Sequence, residues 1–222
     1  MENFPVKILS VKIVTHNVHA FKIEKPKGYA YHPGQATDVS ILKPGWEKEK
    51  RPFTFTSLPG DDHLEFTIKS YTDHSGVTNQ LTKIKIGDMF EIGEAWGAIE
   101  YKSEGVFIAG GAGVTPFIAI FRYLHANGKV GNNKLYFSNK TMDDIILKDE
   151  FERILGKNFI NIITAEKTAA YHDNKINKAY LQKNISDFSQ PFYVCGPDAF
   201  MEDILKALKE FGAEPDALVF EK

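Results

Sequence analysis

The hydrophobic pattern divides the chain into two stretches with different periods. Up to about residue 100 the apolar positions alternate, or cluster in short runs rich in β-branched and aromatic residues. These runs are 6–26 (VKILSVKIVTHNVHAFKIEKP), 35–42 (QATDVSIL), 52–58 (PFTFTSL) and 63–71 (HLEFTIKSY). A period of two predicts strands. Pro-Gly, Gly-Asp and Asp-Asp steps punctuate them as in an antiparallel barrel or sandwich. One short helix is predicted over 75–84 (SGVTNQLTKI), where Leu81 and Ile84 share a face.

Beyond residue 103 strands and helices alternate. The apolar runs 105–110 (GVFIAG), 134–138 (KLYFS), 158–164 (NFINIIT), 191–196 (PFYVCG) and 217–220 (ALVF) are separated by stretches of helical period. One helix starts at Pro116, a favoured first helical position, and stops at Asn127-Gly128. A second is predicted over 141–156, with Thr141 as cap, Asp144 three residues on and Gly156 as stop. A third covers 177–185, and a fourth runs from Pro197 to Gly212. Five short strands with crossover helices specify a parallel, doubly wound sheet, whose ligand-binding loops all emerge on one edge. The expected architecture is therefore α+β with two domains: residues 1–102 an antiparallel β domain, residues 103–222 an α/β domain. The boundary is expected near 101–105, and no internal repeat or low-complexity segment is present.

Composition adds mainly exclusions. Of 222 residues, 43% are hydrophobic and 25% charged, an ordinary globular balance, and the net charge of −2 gives no footprint for nucleic acid. No apolar run is long enough for a bilayer span, and the opening MENFPVKILSVKIV alternates like a strand rather than a signal peptide. A cytoplasmic location is expected. The single cysteine, Cys195, excludes an internal disulfide, and it excludes an iron–sulfur or zinc site made of several cysteines of this chain. No metal site is predicted.

Candidate chemistry lies in five segments. The turn 108–116 (IAGGAGVTP) joins a strand to a helix, and Gly110, Gly111 and Gly113 let backbone approach a ligand at that helix N-terminus, with Thr115 adding a hydroxyl and Pro116 starting the helix. It departs from the G-x-G-x-x-G fingerprint, and a merely tight connection would show the same glycines. At 194–200 (VCGPDAF), Gly196 and Pro197 form a tight turn that leaves Cys195 at the mouth of the sheet, beside a reacting ring, the alternative being a small buried thiol that fills a gap. In 137–144 (FSNKTMDD), Ser138 and Asn139 offer hydrogen bonds and Lys140 a charge for a ribose 2′-phosphate, although loop lysines are common. In 51–57 (RPFTFTS), Arg51 offers a fork of donors to a phosphate, while alternation puts Phe53 and Phe55 on one face and Thr54 and Thr56 on the other. Gly76, Val77 and Thr78 open a short helix that offers amides and a hydroxyl to phosphate, or is simply a capped turn.

Taken in order, the segments 32–41, 51–57, 75–81, 108–117, 138–152 and 194–201 resemble the ferredoxin–NADP reductase superfamily, especially its compact bacterial members. They are collinear and span nearly the whole chain. The resemblance implies a six-stranded antiparallel FAD-binding barrel followed by a Rossmann-like domain for NADPH or NADH. It implies that Arg51 binds flavin phosphate, that Phe53 stacks on the isoalloxazine in place of the usual tyrosine, and that Thr54 hydrogen-bonds flavin N5. Pro52, Ile68 and Lys69 join the flavin site, and Gly76, Val77 and Thr78 match the second flavin-phosphate segment. Gly111, Gly113, Thr115 and Pro116 match the pyrophosphate loop, and Cys195, Gly196 and Pro197 the segment beside the nicotinamide, with Thr54 and Cys195 as the catalytic pair. Phe220 is the candidate C-terminal aromatic over the flavin. The implied activity is oxidation of NAD(P)H by bound FAD, with single electrons passed to a separate redox protein such as ferredoxin or flavodoxin. The alternatives are a non-catalytic flavin relay subunit of a larger complex and a flavin-free dehydrogenase.

Overall fold

The computed structural model describes residues 2–72, 75–97, 99–166 and 175–217. The first alternating run folds as two strands, β1 (Phe4–Thr15) and β2 (Val18–Glu24). They turn at His16-Asn17, where the Thr15 hydroxyl accepts from the Asn17 amide at 3.4 Å. Four strands follow: β3 (Ala36–Ile41), β4 (Arg51–Thr54), β5 (His63–Lys69) and β6 (Met89–Ile92), with the short helix α1 (Val77–Leu81) between the last two. All pairings are antiparallel, in the order β4-β3-β6-β1-β2-β5. An isolated bridge between Phe55 and Phe66, with the Thr56 amide donating to the Glu65 carbonyl at 2.7 Å, joins the two end strands and closes a barrel. Its interior holds Ile8, Phe21, Ile23, Val39, Phe55, Phe66, Phe90 and Ile92, each at most 1% exposed. β6 is absent from the strands that periodicity predicts. Its four residues give too short an alternation to stand out, and it is fixed by pairing with β1 and β3 on either side.

The second half forms a five-stranded parallel sheet in the order β11-β10-β7-β8-β9. Its strands are β7 (Val106–Gly110), β8 (Lys134–Asn139), β9 (Phe159–Ile163), β10 (Phe192–Cys195) and β11 (Asp216–Ala217). Four helices cover it: α2 (Thr115–Ala126), α3 (Lys148–Leu155), α4 (Lys178–Asn184) and α5 (Asp198–Glu210). Alternation along β7 sends Phe107 and Ala109 into a core with α2 and α3, and Val106 and Ile108 into a core with α4 and α5. Burying a phenylalanine such as Phe117 or Phe121 of α2 contributes about 2–3 kcal/mol.

The stretch 141–156 is not one helix. Thr141 and Asp144 do form a reciprocal capping box, but around a single 3₁₀ turn, Met142–Asp144. Leu147 then adopts a left-handed φ of 52°, and α3 starts only after it, so the buried Ile145 is extended and the buried Ile146 lies in the turn between the two.

The halves are tied together at the connecting segment. The Tyr193 hydroxyl accepts from the Lys102 and Ser103 amides at 3.0 and 3.1 Å and donates to the Ser103 carbonyl at 2.9 Å. Val18 of the barrel and Ile99 of the connecting segment enter the apolar cluster beneath α2. Among the described residues, no helix is long and apolar enough to cross a membrane.

Candidate functional site

The order β11-β10-β7-β8-β9 reverses direction between β10 and β7, and such a switch point leaves a crevice at the strand ends. Register pairs Cys195 with Ala109, so the loops after these two strands face each other across the crevice. They pack almost backbone to backbone: a Cβ at position 113 would overlap the Cys195 carbonyl. Gly111 has a φ of +52°, which only glycine adopts without strain. The close approach of Gly113 is therefore made to the neighbouring loop, and that approach brings the two loops into one wall.

The barrel supplies the other wall. A cleft of about 330 Å³ is lined on the barrel side by Pro52, Phe53, Thr54, Thr67, Ile68, Lys69, Tyr71 and Thr78. On the α/β side it is lined by Gly110, Ala112, Gly113, Thr115, Gly196, Pro197 and Asp198. Thr54 is 3% exposed, and its Oγ1 is buried with no hydrogen-bond partner. A buried hydroxyl without a partner is costly in an apolar setting, and this one belongs to a residue of the cleft wall. Phe53 packs toward Phe66 at a centroid distance of 6.4 Å while also lining the cleft; Phe55 lies inside the barrel against Tyr31 and Phe66 at 4.3 and 5.3 Å.

The remaining sequence candidates take varied positions. Arg51 is exposed at the head of β4, donating to the Lys50 carbonyl at 2.7 Å and lying 3.6 Å from Glu49. Gly76 caps α1 in extended conformation, Val77 is buried in the barrel core, and the Thr78 hydroxyl accepts from the Tyr71 amide at 3.4 Å. Gly111 lies between the lining residues Gly110 and Ala112 without lining the cleft itself, and Pro116 follows the stretch, buried in the first turn of α2. Ser138, Asn139 and Lys140 sit together at the end of β8. Asn139 is buried with both side-chain amide atoms unpartnered, and Lys140 is exposed. Cys195 is fully buried rather than at the mouth of the crevice, and Gly196 and Pro197 present the surface there. Burial pushes its thiol up to about 12, despite a hydrogen bond from the Gly196 amide, so it stays protonated and unreactive near neutrality. Phe220 lies outside the described residues.

Several cleft residues escaped the sequence analysis. Thr67 and Tyr71 line the cleft from outside the five segments, and Ala112 and Asp198 line it from within 108–116 and 194–200 without having been singled out. Lys69 lies 3.3 Å from Asp144, a contact between barrel and α/β halves. Burial works to raise the Asp144 carboxyl, but hydrogen bonds from Thr141 and the adjoining Lys69 charge outweigh it and hold it below the usual range.

The family comparisons divide the chain at the same place as its architecture. Residues 3–95 match the model of an FAD-binding domain, and residues 107–206 that of an oxidoreductase NAD-binding domain. The chain is 25% identical to the reductase component of propane 2-monooxygenase from Rhodococcus jostii, over 100% of this chain and 64% of that one. It is 30% identical to NADH-cytochrome b5 reductase 1 from Coccidioides immitis, over 69% of this chain and 54% of that one. The chain thus spans less than two thirds of the length of these two relatives. A ferredoxin NADP+ reductase from Neisseria gonorrhoeae with bound FAD and NADP superposes with a TM-score of 0.83 at 19% identity, covering 98% of this chain and 99% of that one. The barrel thus matches an FAD-binding domain and the doubly wound sheet an oxidoreductase NAD-binding domain, in the two-domain fold that the Neisseria protein shares. The chain belongs to the flavoproteins that join an FAD-binding domain to an oxidoreductase NAD-binding domain.

Proposed function

We propose that this protein is an FAD-dependent NAD(P)H oxidoreductase that passes hydride from NAD(P)H to bound FAD and single electrons on to a separate redox protein. The observation that carries this reading is a cleft at the strand ends of the sheet, built from both domains, with the buried, unpartnered Thr54 hydroxyl on its barrel wall. Bound FAD supplies the chemistry, accepting two electrons at once and releasing them singly.

The residues of the chain position the reactants and keep water out, which hydride transfer needs more than acid–base groups. Phe53, with Pro52 and Ile68, gives the flat apolar face against which the flavin ring lies, and the Thr54 hydroxyl donates to the N5 edge. Arg51, Gly76, Val77, Thr78 and Lys69 serve the flavin phosphates. Gly111, Gly113, Thr115 and Pro116 receive the nucleotide pyrophosphate, while Ser138, Asn139 and Lys140 take the adenosine ribose. Gly196 and Pro197 face the nicotinamide, and the buried Cys195 supports that turn from behind. Residues 1–102 and 103–222 are the two domains on this reading, supported by the gap between matched segments at 96–106. We place the protein in the cytoplasm, where reduced nicotinamide nucleotides are available and a lone buried thiol stays reduced.

The test is the visible spectrum of the purified protein before and after anaerobic addition of NADH or NADPH. A flavin band that bleaches within seconds is the expected result. A flavin that stays oxidised with both nucleotides, or a protein that takes up no FAD, overturns the reading.

A further inference from the structure

The two walls of the cleft are joined by a charged cluster outside it, centred on Arg122. This arginine lies in α2 within an otherwise apolar stretch, 117–121 and 124 being buried. Its Nε and one Nη donate to the two oxygens of Glu150 on α3, at 2.6 and 3.0 Å. The other Nη reaches into the barrel half, donating to the Thr56 carbonyl at 2.6 Å and to Glu65 Oε1 at 2.7 Å. The Thr56 hydroxyl donates to the same Glu65 oxygen at 2.9 Å. Burial opposes the arginine's charge, but the two carboxylates outweigh it and raise its pKa, so the guanidinium is permanently charged.

Its attachment points bear directly on the cleft. Thr56 is two residues beyond Thr54, at the bridge that closes the barrel. Arg122 is seven residues beyond Thr115, on the helix that starts at the glycine loop. At about 1.5 Å per residue this is about 10 Å along a rigid helix. A planar fork with bonds to both halves sets distance and angle together, which a point charge does not. Without Arg122, Glu65 and Glu150 would lose the cation they share, and the two halves would lose the side chain that bridges them.

We propose that Arg122 is a positioning residue: it fixes the separation of the Phe53-Thr54 wall from the Gly110–Thr115 wall, and with it the spacing at which hydride passes. The inference rests on the reductase reading for its kinetic consequence, whereas the holding of the two halves is testable without it.

The experiment compares flavin-loaded wild type with Arg122→Met and Arg122→Lys, by amide hydrogen exchange and by rapid-mixing reduction over a range of NADH concentrations. Arg122→Met is expected to raise exchange at least tenfold at 54–57 and 115–122, and to lower the limiting reduction rate at least tenfold. Its half-saturating NADH concentration should change less than threefold. Arg122→Lys keeps the charge and should recover part of both losses. Unchanged exchange at both segments overturns the latch, as does a weakened NADH affinity with an unchanged limiting rate. If Arg122→Met does not fold, Glu150→Gln carries the same comparison, with a smaller shift in the same direction expected and an unchanged protein overturning the proposal. If wild type itself is not reduced, the reductase reading fails, and the exchange comparison still decides whether Arg122 holds the halves together.

Discussion

The two walls of the cleft are made of different material. The barrel wall presents side chains: Phe53, Thr54, Ile68, Lys69, Tyr71 and Thr78. The α/β wall presents mostly backbone and small residues, Gly110, Ala112, Gly113, Gly196 and Pro197. A wall of side chains can be altered one group at a time without moving the chain behind it. A wall of backbone holds its shape because two loops touch, so a change there acts on the fold as much as on the ligand.

The largest expected effect is therefore on the glycine side. Gly113→Ala forces the first loop away from the Cys195 carbonyl. We expect a loss of about 3 kcal/mol or more, the range of severe steric insertions, together with loss of nucleotide response. Thermal unfolding and anaerobic nucleotide titration of the same sample measure both. A variant with wild-type stability would show that the loops have room and that the contrast between the walls is false.

Thr54→Val is the complementary change. It keeps shape and removes a hydroxyl that has no partner in the protein. Stability should stay within about 1 kcal/mol of wild type or rise, since no protein hydrogen bond is lost. Flavin should remain bound while its reduction slows by about tenfold, as expected for one transition-state hydrogen bond of about 1.4 kcal/mol. Equal reduction rates would remove Thr54 from the chemistry and leave its buried hydroxyl unexplained.

The smallest effect concerns Asp144, which joins the walls near their rim through Lys69. Its carboxyl is held below its unfolded value, so its contribution to stability is present above about pH 4 and is lost as pH falls through the folded pKa. Asp144→Asn should lower stability by about 1 kcal/mol at pH 7, and the gap should narrow as pH falls below about 4. Urea titrations of both proteins across that range measure the gap; a constant gap would mean that Asp144 acts by shape and not by charge.

The same contrast governs how much was legible in the sequence. The α/β wall could be read closely, because glycines and prolines announce backbone turns by their own chemistry and each lies between a strand and a helix. The barrel wall was harder. Phe53 and Thr54 were located by alternation and given roles through a family resemblance, but Tyr71 and Thr67 reach the cleft only through barrel closure, which joins β4 to β5 across the ends of the sheet. Cys195 was placed on the right strand and at the wrong depth: Gly196 and Pro197, not the thiol, reach the surface. The Arg122 cluster unites residues 56, 65, 122 and 150, a pairing no local pattern encodes. Its one signal was a lone arginine among buried apolar residues of α2.

The phenol of Tyr193 has a practical consequence for anyone who would take the molecule apart. It grips the main chain at Lys102 and Ser103 from a strand some ninety positions downstream. A cut at 102/103, where the order of the motifs invites one, separates the two amides it holds and leaves one behind on each fragment. The two modules are distinct in fold yet share this fastening, so a graft of either onto another partner must carry the fastened segment with the half that owns the tyrosine.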